Sequence, residues 1–270
     1  MEKQIQKINS ADDLKILLAK QYQAQINNYF GDEKKALKFL SSVMASVQRT
    51  PKLLECDPVT VVNSFMTMAQ LELMPSDVSG EAYVIPYKGK AQFQLGYQGL
   101  VTLFYRAGVK SIISEIVYEK DKFDYTNGQV THSPDVFADD RGKPIGAYVI
   151  VETQTGGKIA KVMKKKDIIE IGKRFSQSFT SEYSPWNEKN DPELWMYRKT
   201  VIKQIAKLIP KNETIYKAIA IDNEDSVIAK RLKDAEKESD KMKMGNLLKE
   251  TNQKYEEKNN QENESEKQTQ

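Results

Sequence analysis

Lys199, Lys203 and Lys207 recur at every fourth residue, and Lys211 continues the row just past Pro210. On an α-helix this spacing sets successive ammonium groups about 6 Å apart along the axis. Phosphates on a single nucleic-acid strand repeat at a similar distance, so the row reads either as a solvated helix face or as a track for a polyphosphate backbone. Arg198 falls inside the apolar sector of the same helix, among Leu194, Val201, Ile202, Ile205, Leu208 and Ile209. A cation there needs a core carboxylate, a neighbouring subunit or a phosphate. A second basic stretch holds Lys158, Lys161, Lys164, Lys165, Lys166, Lys173 and Arg174 against only Asp167 and Glu170. A local cation excess at a strand-to-helix junction suits phosphate, although lysine runs also serve as plain surface.

A third set lies between residues 87 and 110. Gly99, Thr102 and Arg106 line one helix face, where small residues followed by a cation would let a nucleic-acid backbone approach and be held. Gln98 beside them offers donors and acceptors, and Lys110 joins the same candidate set. Tyr87, Phe93 and Tyr97 have rings able to stack on bases, or to fill a core, as alternating strand aromatics commonly do.

Catalytic chemistry finds little support. The chain has no GxxxxGK[S/T] loop for nucleotide phosphates. Its single histidine, His132, reads as part of a polar loop with no second ligand for zinc. The acidic pairs Asp121/Asp124 and Asp139/Asp140 would have to converge on Mg²⁺ to make a nuclease; the plainer reading is turn-capping loop acids. Cys56 has no disulfide partner in the chain, which fits a reducing compartment. Neither a secretory leader nor a membrane-length apolar run is present, so a cytoplasmic, non-membrane protein is expected. The net charge of +3 discriminates nothing by itself.

The elements that must hold these residues follow from periodicity and punctuation. A helix carrying Leu37, Leu40, Met44 and Val47 stops before Pro51, and a second, capped by Asp57 and opened by Pro58, carries Val59, Val62, Met66, Ala69 and Leu73 up to Pro75. Residues 81–87 and 91–97 flank Lys88-Gly89-Lys90 as a hairpin, and a helix from 97 to 107 stops at Gly108. Strands are expected at 112–119, 122–126, 145–153 and 158–163, and helices at 165–175 and 192–209, the last between Asp191-Pro192 and Pro210. Helices bracket the strands, so the class is α+β: N-terminal helices, then a β-hairpin and short antiparallel sheet packed against helices. The organisation reads as a helical oligomerisation region over 1–55, a DNA-binding core over 56–225 and a polar, disordered tail over 226–270, with one short docking helix around Met242, Met244, Leu247 and Leu248.

Two blocks carry a resemblance. The runs AYVIPYKGKAQFQLGYQGLVTLFYRAG and SPWNEKNDPELWMYRKTVIKQIAKLIPK are similar to the two hallmark blocks of the RecT family of phage and prophage single-strand annealing proteins, and the likeness extends from about residue 35 to 220. The resemblance implies annealing of single-stranded DNA without ATP or another cofactor, with Mg²⁺ reaching the protein only through DNA. It implies ring or filament homo-oligomers, single-stranded DNA and the annealed duplex as ligands, and a RecE-type phage exonuclease that supplies the substrate. Tyr97, Gln98, Gly99, Arg106, Lys199 and Lys203 fall within the family blocks; a DNA role for Lys164–Lys166 rests on charge alone. One departure stands out: the family's Leu-Gly-Leu-x-Pro is here Leu71-Glu72-Leu73-Met74-Pro75. A passive single-strand coating protein and an RNA-binding module are the rival readings, and a host single-strand binding protein is the expected partner of the tail.

Overall fold

Side-chain caps set the boundaries of the N-terminal helices in the computed structural model, which describes residues 8–75, 79–176, 178–209 and 213–224. Lys211, the tail over 226–270 and its expected docking helix lie outside these residues. Ser10 accepts from the Asp13 amide to start α1 (Ala11–Phe30), and Gly31, at φ 61°, ends it. Asp32 caps α2 (Glu33–Arg49). The buried stripe of α2 is rotated from the expected one: Ala36, Phe39, Leu40, Val43 and Val47 face inward, while Leu37 is 52% exposed. The Phe39 ring sets this orientation by packing 5.3 Å from Phe30 of α1. A 3₁₀ segment, Pro51–Glu55, leads to α3 (Pro58–Gln70), where Asp57 accepts from the Val59 amide as its spacing predicts. Apolar residues surround α3, so periodicity orients it only in part: Val62 and Ala69 are buried as expected and Val61, Phe65 and Met68 are buried beside them, while Val59 is exposed.

The helix ends at Gln70, well before Pro75, because Glu72 turns left-handed at φ 52°. Glycine adopts this conformation freely and glutamate does not, so Glu72 carries strain here. Next come β1 (Ala82–Tyr87) and β2 (Lys90–Leu95), joined by Lys88-Gly89 with φ 49° and 74°, the two positive values of a type I′ turn. Antiparallel alternation from the Tyr87–Lys90 pair points the peptide groups of Ala91 and Leu95 away from β1. Ala91 is satisfied by α3, its amide donating to Thr60 Oγ1 at 2.9 Å and its carbonyl accepting from Ser64.

After α4 (Tyr97–Arg106), Gly108 at φ 85° redirects the chain into β3 (Val109–Tyr118). A second hairpin follows, β4 (Lys122–Thr126) and β5 (Gln129–Ser133), then β6 (Pro144–Thr153) and β7 (Lys158–Lys164). β3, β6 and β7 form an antiparallel sheet in the order β3-β6-β7, and β4–β5 is a separate two-stranded arm. Residues Ile116, Ala147, Val149, Val151 and Met163 of the sheet join the core against α4, α5 (Lys165–Phe175) and α6 (Trp195–Ile205). α6 is shorter than expected because Leu194 is left-handed at φ 57°; Asp191 still reaches the helix, accepting from the Met196 amide at 3.1 Å. A 3₁₀ turn, Ala206–Leu208, and a helix over 213–224 complete the described chain. Buried apolar side chains from Ile8 to Ala218 make one continuous core.

β5 overturns the reading of His132 as a loop residue. Asn127-Gly128, at φ 53° and 79°, closes the arm as a type I′ hairpin, which places His132 on a strand opposite Phe123. His132 is buried: Nδ1 lies 3.2 Å from the Tyr148 hydroxyl and Nε2 lies 3.1 Å from Asp121 Oδ2. Asp121 lies in the β3–β4 turn and caps it as expected, accepting from the Tyr118 amide at 2.8 Å, but it is buried rather than solvated. Its side chain is 1% exposed and takes two bonds from Arg141, at 2.9 and 2.7 Å. Burial opposes the charge on Asp121, but donors from Arg141, the Tyr118 amide and His132 prevail and hold its pKa at about 2. This network pins the arm to the sheet.

Asp121→Asn should therefore lower stability by about 3 kcal/mol, because it leaves Arg141 without its buried partner; urea unfolding measures this. The carboxylate's folded pKa is depressed, so its contribution is fully present above pH 4 and is lost as pH falls through about 2. The wild type should lose more stability across that window than Asp121→Asn does. Glu72→Gly should raise stability by up to about 1 kcal/mol by relieving the left-handed residue, less the entropy glycine adds to the unfolded chain.

Candidate nucleic-acid interface

The α4 face that reads as a cradle for a foreign backbone holds the protein's own. A Cβ on Gly99 would lie 2.0 Å from the Glu81 carbonyl, and one on Gly96 would lie 1.9 Å from the Gly80 carbonyl. Only glycine permits that approach. Thr102 donates to Glu81 Oε1 at 3.3 Å, and Glu81 Oε2 accepts from the Met74 amide. Arg106 donates to the carbonyls of Leu71 and Glu72, both at 3.0 Å, and so closes the open end of α3. Gln98 alone of this group is exposed without a described internal role. Phe93 is core, at 3% exposure, and Tyr87 is half-buried with the Lys88 ammonium 5.6 Å from its ring.

The α6 lysines also differ from expectation. Lys199 and Lys203 point inward, under β2. Lys199 donates to the Leu95 carbonyl, while the Leu95 amide donates to Asp222 Oδ1 at 2.8 Å. Lys203 spans Asp222 Oδ2 at 2.8 Å and Asn223 Oδ1 at 2.7 Å. Burial pushes the Lys199 pKa down, against the pull of Asp222. Burial also opposes the Asp222 charge, yet the two lysines keep its carboxyl below the usual range. A helical projection shows that these lysines oppose the apolar stripe; it cannot show that the helix over 213–224 covers them. Lys207, past the end of α6, is exposed.

Arg198 takes the structural partner that its position demands. It donates to the Ser114 carbonyl and, at 3.1 Å, to Glu115 Oε2 on β3. Lys110 bridges to Glu152 across β3 and β6 at 2.8 Å. At the basic junction, Lys165 pairs with Glu188 at 2.8 Å and Lys161 is half-buried on β7. Lys164, Lys166 and Arg174 are exposed, with the Arg174 guanidinium 5.2 Å from the Phe175 ring.

The two sequence blocks thus meet. The hairpin and α4 of the first are tied to α6 of the second through Leu95, and Tyr97 meets Trp195 edge to face at 4.9 Å. Sequence reading missed Asp222 and Trp195. Asp222 carries no local signal, being one acid near the end of an amphipathic helix; an aromatic at a helix start was the available cue for Trp195. Among the described residues, no group of three His, Cys, Asp or Glu side chains is placed to hold a metal ion, and no helix is long and apolar enough to cross a membrane.

Fold and site together define an α+β protein whose hairpin and α4 are clamped to α6 beside an exposed cationic junction. The RecT family model matches residues 37–241, and the chain belongs to that family, whose general activity is single-strand DNA annealing. It is 26% identical over 203 residues to Protein RecT of Escherichia coli strain K12, covering 70% of this chain and 72% of that protein. It is 29% identical over 174 residues to Uncharacterized protein YqaK of Bacillus subtilis strain 168, covering 64% of this chain and 58% of that one.

Lys199→Glu with Lys203→Glu should accordingly unfold the protein, because both cations around Asp222 become carboxylates. Asp222→Ala should cost about 3–5 kcal/mol in urea unfolding, the range for breaking a buried ion pair. Lys166→Glu, on the surface, should stay within about 0.5 kcal/mol of wild type.

Proposed function

We propose that this chain binds single-stranded DNA and anneals it to a complementary strand, acting as a homo-oligomer in the cytoplasm and needing no ATP or other cofactor. The observation that carries this reading is the physical joining of the two family blocks at Leu95, which packs them into one folded unit rather than two separate motifs. Exposed Lys164, Lys166 and Arg174, extended by Lys207, neutralise phosphates without reading sequence. Lys199, Lys203, Arg106 and Arg198 serve the same surface by holding its backbone in place. With the phosphates held, base edges of the bound strand stay open to a second strand. Correct pairing then gains about 1.4 kcal/mol per stacked step, so annealing runs downhill unaided. Residues 1–55 supply subunit contacts. A RecE-type exonuclease delivers the strand, and the tail over 226–270 recruits a host single-strand binding protein.

Two complementary labelled oligonucleotides, mixed with the protein and Mg²⁺ but no nucleotide, should form duplex faster than they do alone. Binding without acceleration would instead identify a coating protein, and equal affinity for ribose oligomers an RNA-binding module. Each phosphate contact on a single strand contributes about −0.7 to the log–log salt slope. Lys166→Ala with Arg174→Ala should therefore flatten the slope by about 1.4 while leaving the unfolding midpoint unchanged.

A further inference from the structure

The two tryptophans sit in opposite environments. Trp186 is 9% exposed and its indole lies against Gly172, where a Cβ would come within 2.7 Å of the ring. It packs between Phe179 and Tyr197 and anchors the segment joining α5 to α6. Trp195, the first residue of α6, is 42% exposed. Packing does not explain an indole left that open, since burying it further would be favourable. Its surroundings nevertheless hold it in one orientation. Tyr97, the first residue of α4, meets it edge to face with ring centroids 4.9 Å apart. The Arg198 guanidinium lies 5.5 Å from the indole centroid. Arg198 cannot drift, being held by the Ser114 carbonyl and by Glu115 Oε2 at 3.1 Å. Tyr105, further along α4, is also 49% exposed.

We infer that Trp195, braced by Tyr97 and Arg198, is a stacking platform for a nucleobase of the bound strand. An aromatic face fixed in advance loses little entropy on stacking, and every base has a π-face, so the contact tolerates any sequence. Arg198, already paired with Glu115, tunes the ring from one side and leaves phosphate neutralisation to the exposed cations. The platform rests on the single-strand binding reading and adds a base contact to it. An annealing protein gains from this arrangement, because stacking grips a base without occupying its pairing edge.

The chain holds only these two tryptophans, so intrinsic fluorescence isolates the site. Wild-type protein is titrated with a thymidine oligonucleotide while polarisation of a labelled copy reports binding independently. Tryptophan emission should fall as the oligonucleotide binds. It should stay constant in Trp195→Phe, which keeps Trp186 and most of the affinity. Trp195→Ala should bind about 5- to 150-fold more weakly, the equivalent of one lost base stack of 1–3 kcal/mol. An abasic oligonucleotide of equal charge should bind with no fall in emission. Binding by polarisation with unchanged wild-type emission would overturn the platform and leave single-strand binding standing. Wild-type affinity in Trp195→Ala would do the same. No polarisation change at all would overturn both.

Discussion

The backbone of one residue, Leu95, organises the domain. It lies at the outer edge of a hairpin, where antiparallel alternation leaves its N–H and C=O without strand partners. Lys199 and Asp222 take those places, the ammonium donating to the carbonyl and the carboxylate accepting a hydrogen bond from the amide. Two helices thereby act as a third strand, but through charges rather than peptides. Leu95 immediately precedes Gly96 and lies four residues before Gly99, and the missing side chains of these glycines let α4 settle against the Gly80–Glu81 backbone. Hairpin, α4 and α6 are therefore positioned relative to one another by this clamp.

The same economy recurs elsewhere in the chain. Arg106 closes α3, Arg198 ties α6 to the edge strand β3, and Arg141 fastens the arm through Asp121. Cations that look poised for phosphate are spent on carbonyls and carboxylates within the fold. Those left at the surface, Lys164, Lys166, Arg174 and Lys207, are distinguished by position rather than by residue type.

Local signals in the sequence carried much of this architecture. Asp57-Pro58, Lys88-Gly89 and Gly108 each act through their own backbone, so their elements were legible from a few residues. β5 was missed although Asn127-Gly128 is an equally local turn signal, because the polar residues beside it resemble a loop. The buried face of α2 keeps Leu40 and Val47 but is turned by the packing of Phe39 on Phe30, and α3 buries Val61, Phe65 and Met68 besides the expected Val62 and Ala69, because tertiary contacts choose the side. The inward lysines were beyond reach in principle. Periodicity gives a direction around the helix axis, but Leu95 and Asp222 lie 104 and 19 residues from the lysines that meet them.

The span between Leu95 and Asp222, 127 residues along the chain, also governs when the domain can finish folding. The hairpin closes by local turn chemistry, and α6 forms within its own sequence. Until Asp222 arrives, burying Lys199 and Lys203 would leave two charges uncompensated, so both remain in water and the core stays ajar. A chain growing from a ribosome must release nearly its entire described length before that acid can dock. Closure consequently waits for the last described helix, and nascent chains ending short of residue 222 should be open and protease-sensitive.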